Sequence, residues 1–277
     1  MRLRVGVDVG GTFTKAVAVD PATGAVRHVR TVPTTHDAPG GVADGVVTVL
    51  AALADAVGAA ALGAVTWSTT QAVNALLEGD VATVGVLGLG SRPDLGKARR
   101  RTRLHDVELV AGRRLPVVGE FLDVTDGLDP QDLAAALDRL QGAGAGAVAV
   151  AEAFAPDRGA AERAAVRAAT ARGLPACGST DLVGMYGLEL RTVTAAVNAA
   201  ILPVATATAD TVQRGAHAAG LPGPLLVMRG DGGATDLAGF RQEPARSLYS
   251  GPAASVAGVL RALAPLEAVV VEGGGTS

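Results

Sequence analysis

The sequence predicts an α/β protein with mixed sheets, and three observations predict it. Short apolar runs of strand length alternate with stretches of helical period along most of the chain. The first three of these runs are separated only by tight turns, so they pair antiparallel rather than through helical crossovers. A strand, a carboxylate and a glycine pair followed by threonine occur together near each end of the chain.

Leu3 to Asp8 reads as a strand that ends in a carboxylate, Gly10-Gly11 as its turn, and Phe13 to Val19 as the returning strand. Pro21-Ala22-Thr23-Gly24 turns the chain again into a strand from Val26 to Val32. Val42, Val46, Val49, Leu50, Leu53 and Val57 share one face of a helix over 40–57. Ala64 to Trp67 is a short buried strand, and Ser68 is expected to cap the helix running to Leu77. Val81 to Leu87 is the next buried strand.

Residues 88–128 are less regular, with short strands expected around 106–110 and 117–124. Asp129-Pro130 starts a helix whose buried stripe is Leu133, Leu137 and Leu140. Ala147 to Ala151 is a strand, and Asp157 opens an alanine-rich helix ending at Gly173. A long helix runs from about Glu189 to Ala219, with a kink expected at Pro203. Leu225 to Met228 is a strand followed by a glycine-rich turn. Arg246 to Tyr249 is expected to be extended, Gly251-Pro252 to open a helix through Leu263, and Ala268 to Val271 to form a final buried strand. A boundary near 180–190 divides the chain into segments 1–185 and 186–277.

Of the 277 residues 49% are hydrophobic and 18% charged, which is ample for a core. Aromatic residues are only 3%, so Val, Leu and Ala must fill it. A net charge of −3 argues against bulk nucleic-acid binding, which needs a basic field. Arg92, Lys97, Arg99, Arg100, Arg101 and Arg103 form the one basic cluster and are read as a solvated loop. Cys177 is the only cysteine, so no intrachain disulfide forms, in keeping with a reducing, cytoplasmic setting. No uninterrupted apolar run reaches the roughly 18 residues that span a bilayer.

The chemistry is concentrated in the repeated string. Val5-Gly6-Val7-Asp8-Val9-Gly10-Gly11-Thr12 matches Val269-Val270-Val271-Glu272-Gly273-Gly274-Gly275-Thr276, with Glu in place of Asp. Glycines let backbone approach a polyphosphate with no Cβ in the way, and successive N–H groups form an anion nest. Thr adds a hydroxyl. The carboxylate repels phosphate but suits Mg²⁺, which retains waters and uses few protein ligands. Two such loops across a cleft would hold one nucleotide from both sides. No GxxxxGK[ST] loop is present, and the first string leads into a strand, unlike the dinucleotide fingerprint.

At this point the chain resembles the hydantoinase/5-oxoprolinase family. Gly6 to Thr14, Val32-Pro33-Thr34-Thr35 and Ser68 to Gly79 are similar to its signatures, as are Tyr186 to Thr192 and Val197 to Pro203. Met228 to Gly233 and Ser250 to Ala254 complete the set. The resemblance covers the N-terminal part of such a protein, a hydantoinase A-type subunit. It implies an actin-like ATPase (ribonuclease H-like) fold whose second half is incomplete within these residues.

It also implies ATP-dependent hydrolysis of a cyclic amide: ATP phosphorylates the ring carbonyl oxygen and water opens the activated ring. By the resemblance Asp8 and Glu272 organise Mg²⁺, and Gly10, Gly11, Thr12, Thr14, Gly274, Gly275 and Thr276 grip the ATP phosphates. Thr69, Thr70 and Gln71 line the cleft and Asp231 faces substrate, although capping and turn formation explain these four as well. Glu189 and Arg191 fit either a functional role or an ion pair. Lys15 stands where many members carry Asp, and Gly273 where an apolar residue is usual.

The expected partner is a hydantoinase B-type subunit, with no nucleic acid and no membrane; a homo-oligomer is compatible with the sequence. On their own these residues are expected to show little hydrolysis. Two other readings use the same loops: a sugar-kinase-type phosphotransferase, and a non-catalytic nucleotide-binding module of the kind found in reactivating chaperones.

Overall fold

A computed structural model describes residues 2–35, 38–105, 107–263, 267 and 269–271. The chain forms two compact units, residues 1–73 with 205–277 and residues 74–204. Unit one therefore draws on chain from both sides of the sequence boundary placed near 185.

Unit one opens with the expected antiparallel meander of β1 (Leu3–Val9), β2 (Phe13–Val19) and β3 (Val26–Pro33). Alternation puts Val5, Val7, Val9, Ala16 and Ala18 on one buried face. The stripe of α1 (Val42–Val57) covers them with Val46, Val49, Leu50 and Leu53. β4 (Leu62–Thr69) then lies parallel to β1, and α2 (Gln71–Glu78) leads out of it.

Unit two is built on four parallel strands. β5 (Val84–Gly90) is followed by α3 (Leu95–Thr102) and a small hairpin, β6 (Glu108–Val110) with β7 (Arg113–Arg114). Next come β8 (Val117–Asp123), α4 (Pro130–Gly142), β9 (Ala147–Glu152), α5 (Ala155–Arg158) and α6 (Ala160–Ala171). β10 (Ala176–Gly178), α7 (Ser179–Leu182) and the start of α8 (Leu188–Ala218) complete the unit. The strand order is β10-β9-β5-β8, all parallel. α4 and α6 pack on the face bearing Leu87, Leu89, Val148 and Val150. α8 covers the opposite face at Val84, Val86, Ala147 and Ala149, and α3 lies on that same face.

The chain returns to unit one through the second half of α8, where Ala205, Ala209 and Val212 join the core. α8 runs through Pro203 as a single helix. By length and composition α8 is apolar enough to cross a membrane, but 61% of its apolar window is buried in the protein, so it serves as a core helix. β11 (Leu225–Met228) adds parallel to β4, β12 (Ala234–Asp236) adds antiparallel to β11, and α9 (Leu237–Gln242) and α10 (Ser250–Leu263) follow. The sheet order is β12-β11-β4-β1-β2-β3. Trp67 and Phe240 meet edge to face at 6.3 Å in its core.

Gly223 shows how tightly β11 enters. A Cβ there would sit 2.0 Å from the Gly63 carbonyl oxygen, which is backbone and cannot swing away. Gly223→Ala is expected to lower stability by about 1–3 kcal/mol, read from denaturant unfolding.

Several expectations need correction. The basic cluster is largely helix α3, not a loop; only Ala98 and Thr102 of that helix are buried, so it shows almost no apolar period. Ser68 does not cap α2; it lies in β4, and the Gln71 N–H donates to Thr69 Oγ1 instead (3.1 Å). The alanine-rich helix is two helices, α5 and α6. Pro244–Ser247 is a 3-10 turn where extended chain was expected from Arg246. Of the strand expected over Ala268 to Val271, Ala268 lies outside the described residues, and Val269 to Val271 pair with no strand among the described residues, with Val269 and Val271 91% and 87% exposed.

Glu189 is exposed and does not pair with Arg191. Arg191 instead enters a buried network in unit two, donating from Nη1 to Ser179 Oγ (2.6 Å) and from Nη2 to the Glu152 carbonyl (2.9 Å). Glu162, wholly buried, accepts from the Glu152 N–H (2.9 Å), the Ser179 hydroxyl (2.8 Å) and the Thr180 N–H (2.8 Å). The Thr180 hydroxyl also donates to it. Glu152 answers by accepting from the Glu162 N–H (2.8 Å).

Burial, and then the neighbouring Glu162 charge, hold the Glu152 carboxyl above the ordinary glutamate range. A raised folded-state value means stability that is present at low pH and lost as pH rises through that value. Glu152→Gln keeps the acceptor and is expected to flatten this loss, measured as unfolding free energy across a pH series. Superimposable pH profiles for the two proteins would contradict it.

Candidate functional site

Topology gathers three of the predicted segments at one end of the unit-one sheet. β1, β4 and β11 are parallel neighbours, so their carboxyl ends face the same way. Beyond those ends lie the Gly10–Thr12 turn, the Thr69–Gln71 segment and the turn containing Asp231. The carboxyl ends of strands are where open α/β sheets place ligands.

Asp8 is exposed on the face opposite the Val5, Val7, Val9 core. Its directly opposed neighbours are Lys15 on β2 and Ser68 on β4. Directly opposed residues share a face with Cβ atoms about 5 Å apart, so a Lys–Asp–Ser row crosses three strands. The Ser68 hydroxyl donates to Asp8 Oδ1 (2.7 Å). The second oxygen, Oδ2, has no hydrogen-bond partner among the described residues.

The Gly10–Thr12 turn is held from outside. The Gly10 N–H donates to the Phe13 carbonyl (3.1 Å), and a Cβ on Gly10 would lie 3.2 Å from that same oxygen. Thr34 pins two turn carbonyls, its hydroxyl donating to Gly10 (2.7 Å) and its N–H to Thr12 (3.0 Å). Thr12 is exposed at the tip. Thr14, expected among the phosphate-gripping residues, points the other way. Its side chain is wholly buried on the α1 side, 3.2 Å from the Thr34 hydroxyl, so it braces the turn from beneath.

Thr69 is buried. Its N–H donates to Ser250 Oγ and its carbonyl accepts from the Ser250 hydroxyl, both at 3.3 Å, tying the end of β4 to the start of α10. Thr70 is half-buried, and Gln71 accepts a hydrogen bond from the Thr208 hydroxyl of α8. Asp231 is exposed, accepts from the Gly233 N–H (2.9 Å) and pairs with Arg229. The Gly233 bond, and then Arg229, hold its carboxyl below the usual range. This is the geometry of a turn-forming Asp. Glu272, Gly274, Gly275 and Thr276 lie outside the described residues.

Ser68 was expected only as a helix cap, and Thr34 and Ser250 were given no role of their own, although all three stand in family-like segments. Ser68 and Thr34 gain their roles from inter-strand register, which local pattern does not reveal. Arg229, whose Nε is buried without a partner among the described residues, follows β11 at this end of the sheet and pairs with Asp231.

The donor set fits Mg²⁺ and a polyphosphate: one exposed carboxylate with an open oxygen, a glycine turn and the Lys15 cation opposite Asp8. No group of three or more His, Cys, Asp or Glu poised for a metal occurs among the described residues. A hydrated ion that takes most of its ligands from water and phosphate needs no such group.

The fold and this end of the sheet define an actin-like ATPase architecture. The profile described as "Hydantoinase/oxoprolinase N-terminal region" matches residues 4–173, and "Hydantoinase/oxoprolinase" matches residues 191–277. The chain belongs to the hydantoinase/oxoprolinase family. No curated protein matches its sequence.

Among solved structures, a nucleotide-free acetone carboxylase is similar with TM-score 0.68 and 19% identity over 92% of this chain. An ATP-dependent caprolactamase from Pseudomonas jessenii is similar with TM-score 0.63 and 25% identity, also over 92%. The chain spans 40% of the length of each.

Proposed function

We propose that this chain is the N-terminal part of an ATP-dependent enzyme that opens a cyclic amide of the hydantoin or 5-oxoproline type. One observation carries the reading: Asp8, oriented by Ser68, stands beside a braced Gly10-Gly11-Thr12 turn where the three parallel strands β1, β4 and β11 of a mixed sheet end. Membership of the family and the likeness to an ATP-dependent caprolactamase support it.

In this reading the backbone of Gly10 to Thr12 and the Thr12 hydroxyl hold phosphate oxygens, and Asp8 holds a hydrated Mg²⁺. Bound there, Mg²⁺ would neutralise phosphate charge during transfer. Glu272, Gly274, Gly275 and Thr276 would supply the facing grip. Ser68 fixes the Asp8 carboxylate, and Lys15 adds positive charge where charge neutralisation dominates phosphoryl transfer. Phosphorylating the amide oxygen turns a poor electrophile into one that water can open. A hydantoinase B-type subunit is the proposed partner.

The test is ADP release by the full-length protein that contains this chain, supplied with such a subunit. Release that requires Mg²⁺ together with hydantoin or 5-oxoproline is expected. Release driven by polyols or hexoses, with cyclic amides inert, would assign a sugar-kinase-type phosphotransferase instead.

A further inference from the structure

Unit two contains a second place where its topology prepares a ligand site. In its sheet β5 sits between β9 and β8, and the connections from β5 and β9 leave to opposite faces. α3 follows β5 on the α8 side, whereas α6 follows β9 on the α4 side. The gap between the carboxyl ends of β5 and β9 is therefore a topological switch point, the position at which parallel α/β sheets bind ligands.

A cavity of about 150 Å³ lies there. Asp94, Lys97, Ala98 and Arg101 line it from beyond β5, and Ala153 and Phe154 from beyond β9. Tyr186, Gly187, Leu188 and Arg191 close it from the start of α8. Three cations face one carboxylate. α3, which starts here, has no side-chain cap on its first-turn N–H groups, since Asp94 makes no cap bond to it.

Arg191 gives the independent observation. It is 1% exposed, and its two Nη groups are engaged by the buried network. Its Nε–H has no partner among the described residues. A buried guanidinium N–H without an acceptor is expensive, and an oxyanion in the cavity would supply one. Phe154, on the rim, holds a left-handed backbone (φ 61°), a strained state that clusters at ligand sites. Ala98, Ala153, Phe154 and Leu188 give the lining an apolar part, and the Tyr186 hydroxyl is taken up by Asp157.

We propose that this crevice binds a small carboxylate with a short apolar body, its oxygens on Arg191 Nε, Lys97 and Arg101 and its hydrocarbon against Ala98, Ala153 and Leu188. This site uses no residue of the Asp8 loop and stands apart from the nucleotide reading.

The experiment is an NMR titration of the whole chain that follows the arginine Nε–H signals, with butyrate, butyramide and inorganic phosphate as probes. Arg191→Lys assigns the resonance. Butyrate is expected to shift the Arg191 Nε–H saturably, while uncharged butyramide of the same shape leaves it in place. The paired change Lys97→Ala with Arg101→Ala, on exposed positions of α3, is expected to weaken butyrate at least about tenfold through loss of charge-assisted bonds. Should Arg191→Lys fail to fold, that surface pair carries the test by calorimetry. The proposal is overturned by no saturable butyrate effect, by equal binding of butyramide, or by undiminished affinity in the paired variant. It is also overturned if phosphate shifts Arg191 at lower concentration than butyrate.

Discussion

Asp8→Ala is expected to abolish most Mg²⁺-dependent nucleotide affinity and to lower any ATP-coupled turnover by roughly 10²- to 10³-fold, the scale of losing one preorganised charge-stabilising group. The argument is geometric. Asp8 is exposed, it sits at the end of β1 immediately before the glycine turn, and the Ser68 hydroxyl fixes one of its oxygens at 2.7 Å. Its side chain contributes nothing to the core, which lies on the other face of the sheet. Stability should therefore stay within about 0.5 kcal/mol, as for surface substitutions generally. Calorimetric titration with a non-hydrolysable ATP analogue, with and without Mg²⁺, separates the two effects. Ser68→Ala should weaken the same Mg²⁺ dependence less, because it frees the carboxylate without removing it.

The largest stability effect is expected at Glu162→Ala. The side chain is wholly buried and accepts hydrogen bonds from the Glu152 N–H, the Ser179 hydroxyl, and the N–H and hydroxyl of Thr180. The buried Arg191 guanidinium lies 4.0 Å away. Removing Glu162 strands all these donors and leaves a cation uncompensated, which costs about 3–5 kcal/mol when a buried pair is broken. Glu189→Ala, three residues into the same signature segment as Arg191 but exposed, should be nearly silent. Denaturant unfolding of both variants checks the contrast. Comparable losses would mean that the network does not hold unit two together.

Local pattern made the opening of the fold legible. Strict alternation in β1 and β2, and the six-residue apolar stripe of α1, have no competing period. It also revealed Asp129 as a cap, since its carboxylate does accept from the Gln131 and Asp132 N–H groups (2.7 and 3.0 Å). The misread segments share a cause. α3 buries only Ala98 and Thr102, so its helical period is drowned by arginines. Glu162 sits in an alanine-rich helix with no local pattern to mark it, and only tertiary packing places it at the centre of a network. Val269 to Val271 have the composition of a strand, but a strand needs a neighbour, and none pairs with them among the described residues.

The candidate site divides in the same way. The carboxylate and glycine turn are contiguous in sequence and could be read directly. Their supports could not: Ser68 reaches Asp8 through parallel register, and Thr34 reaches Gly10 through the far end of β3. Thr14 looked like a continuation of the motif. Alternation in β2 sends it to the opposite face from Lys15, into contact with α1.

A crystal structure of the protein soaked with Mg²⁺ and a non-hydrolysable ATP analogue tests the central assignment most directly. Phosphate oxygens should be found within hydrogen-bond distance of the Gly10–Thr12 backbone, with the metal's water shell against Asp8. Nucleotide seated elsewhere, with the Asp8–Ser68 pair and the glycine turn untouched, would contradict it.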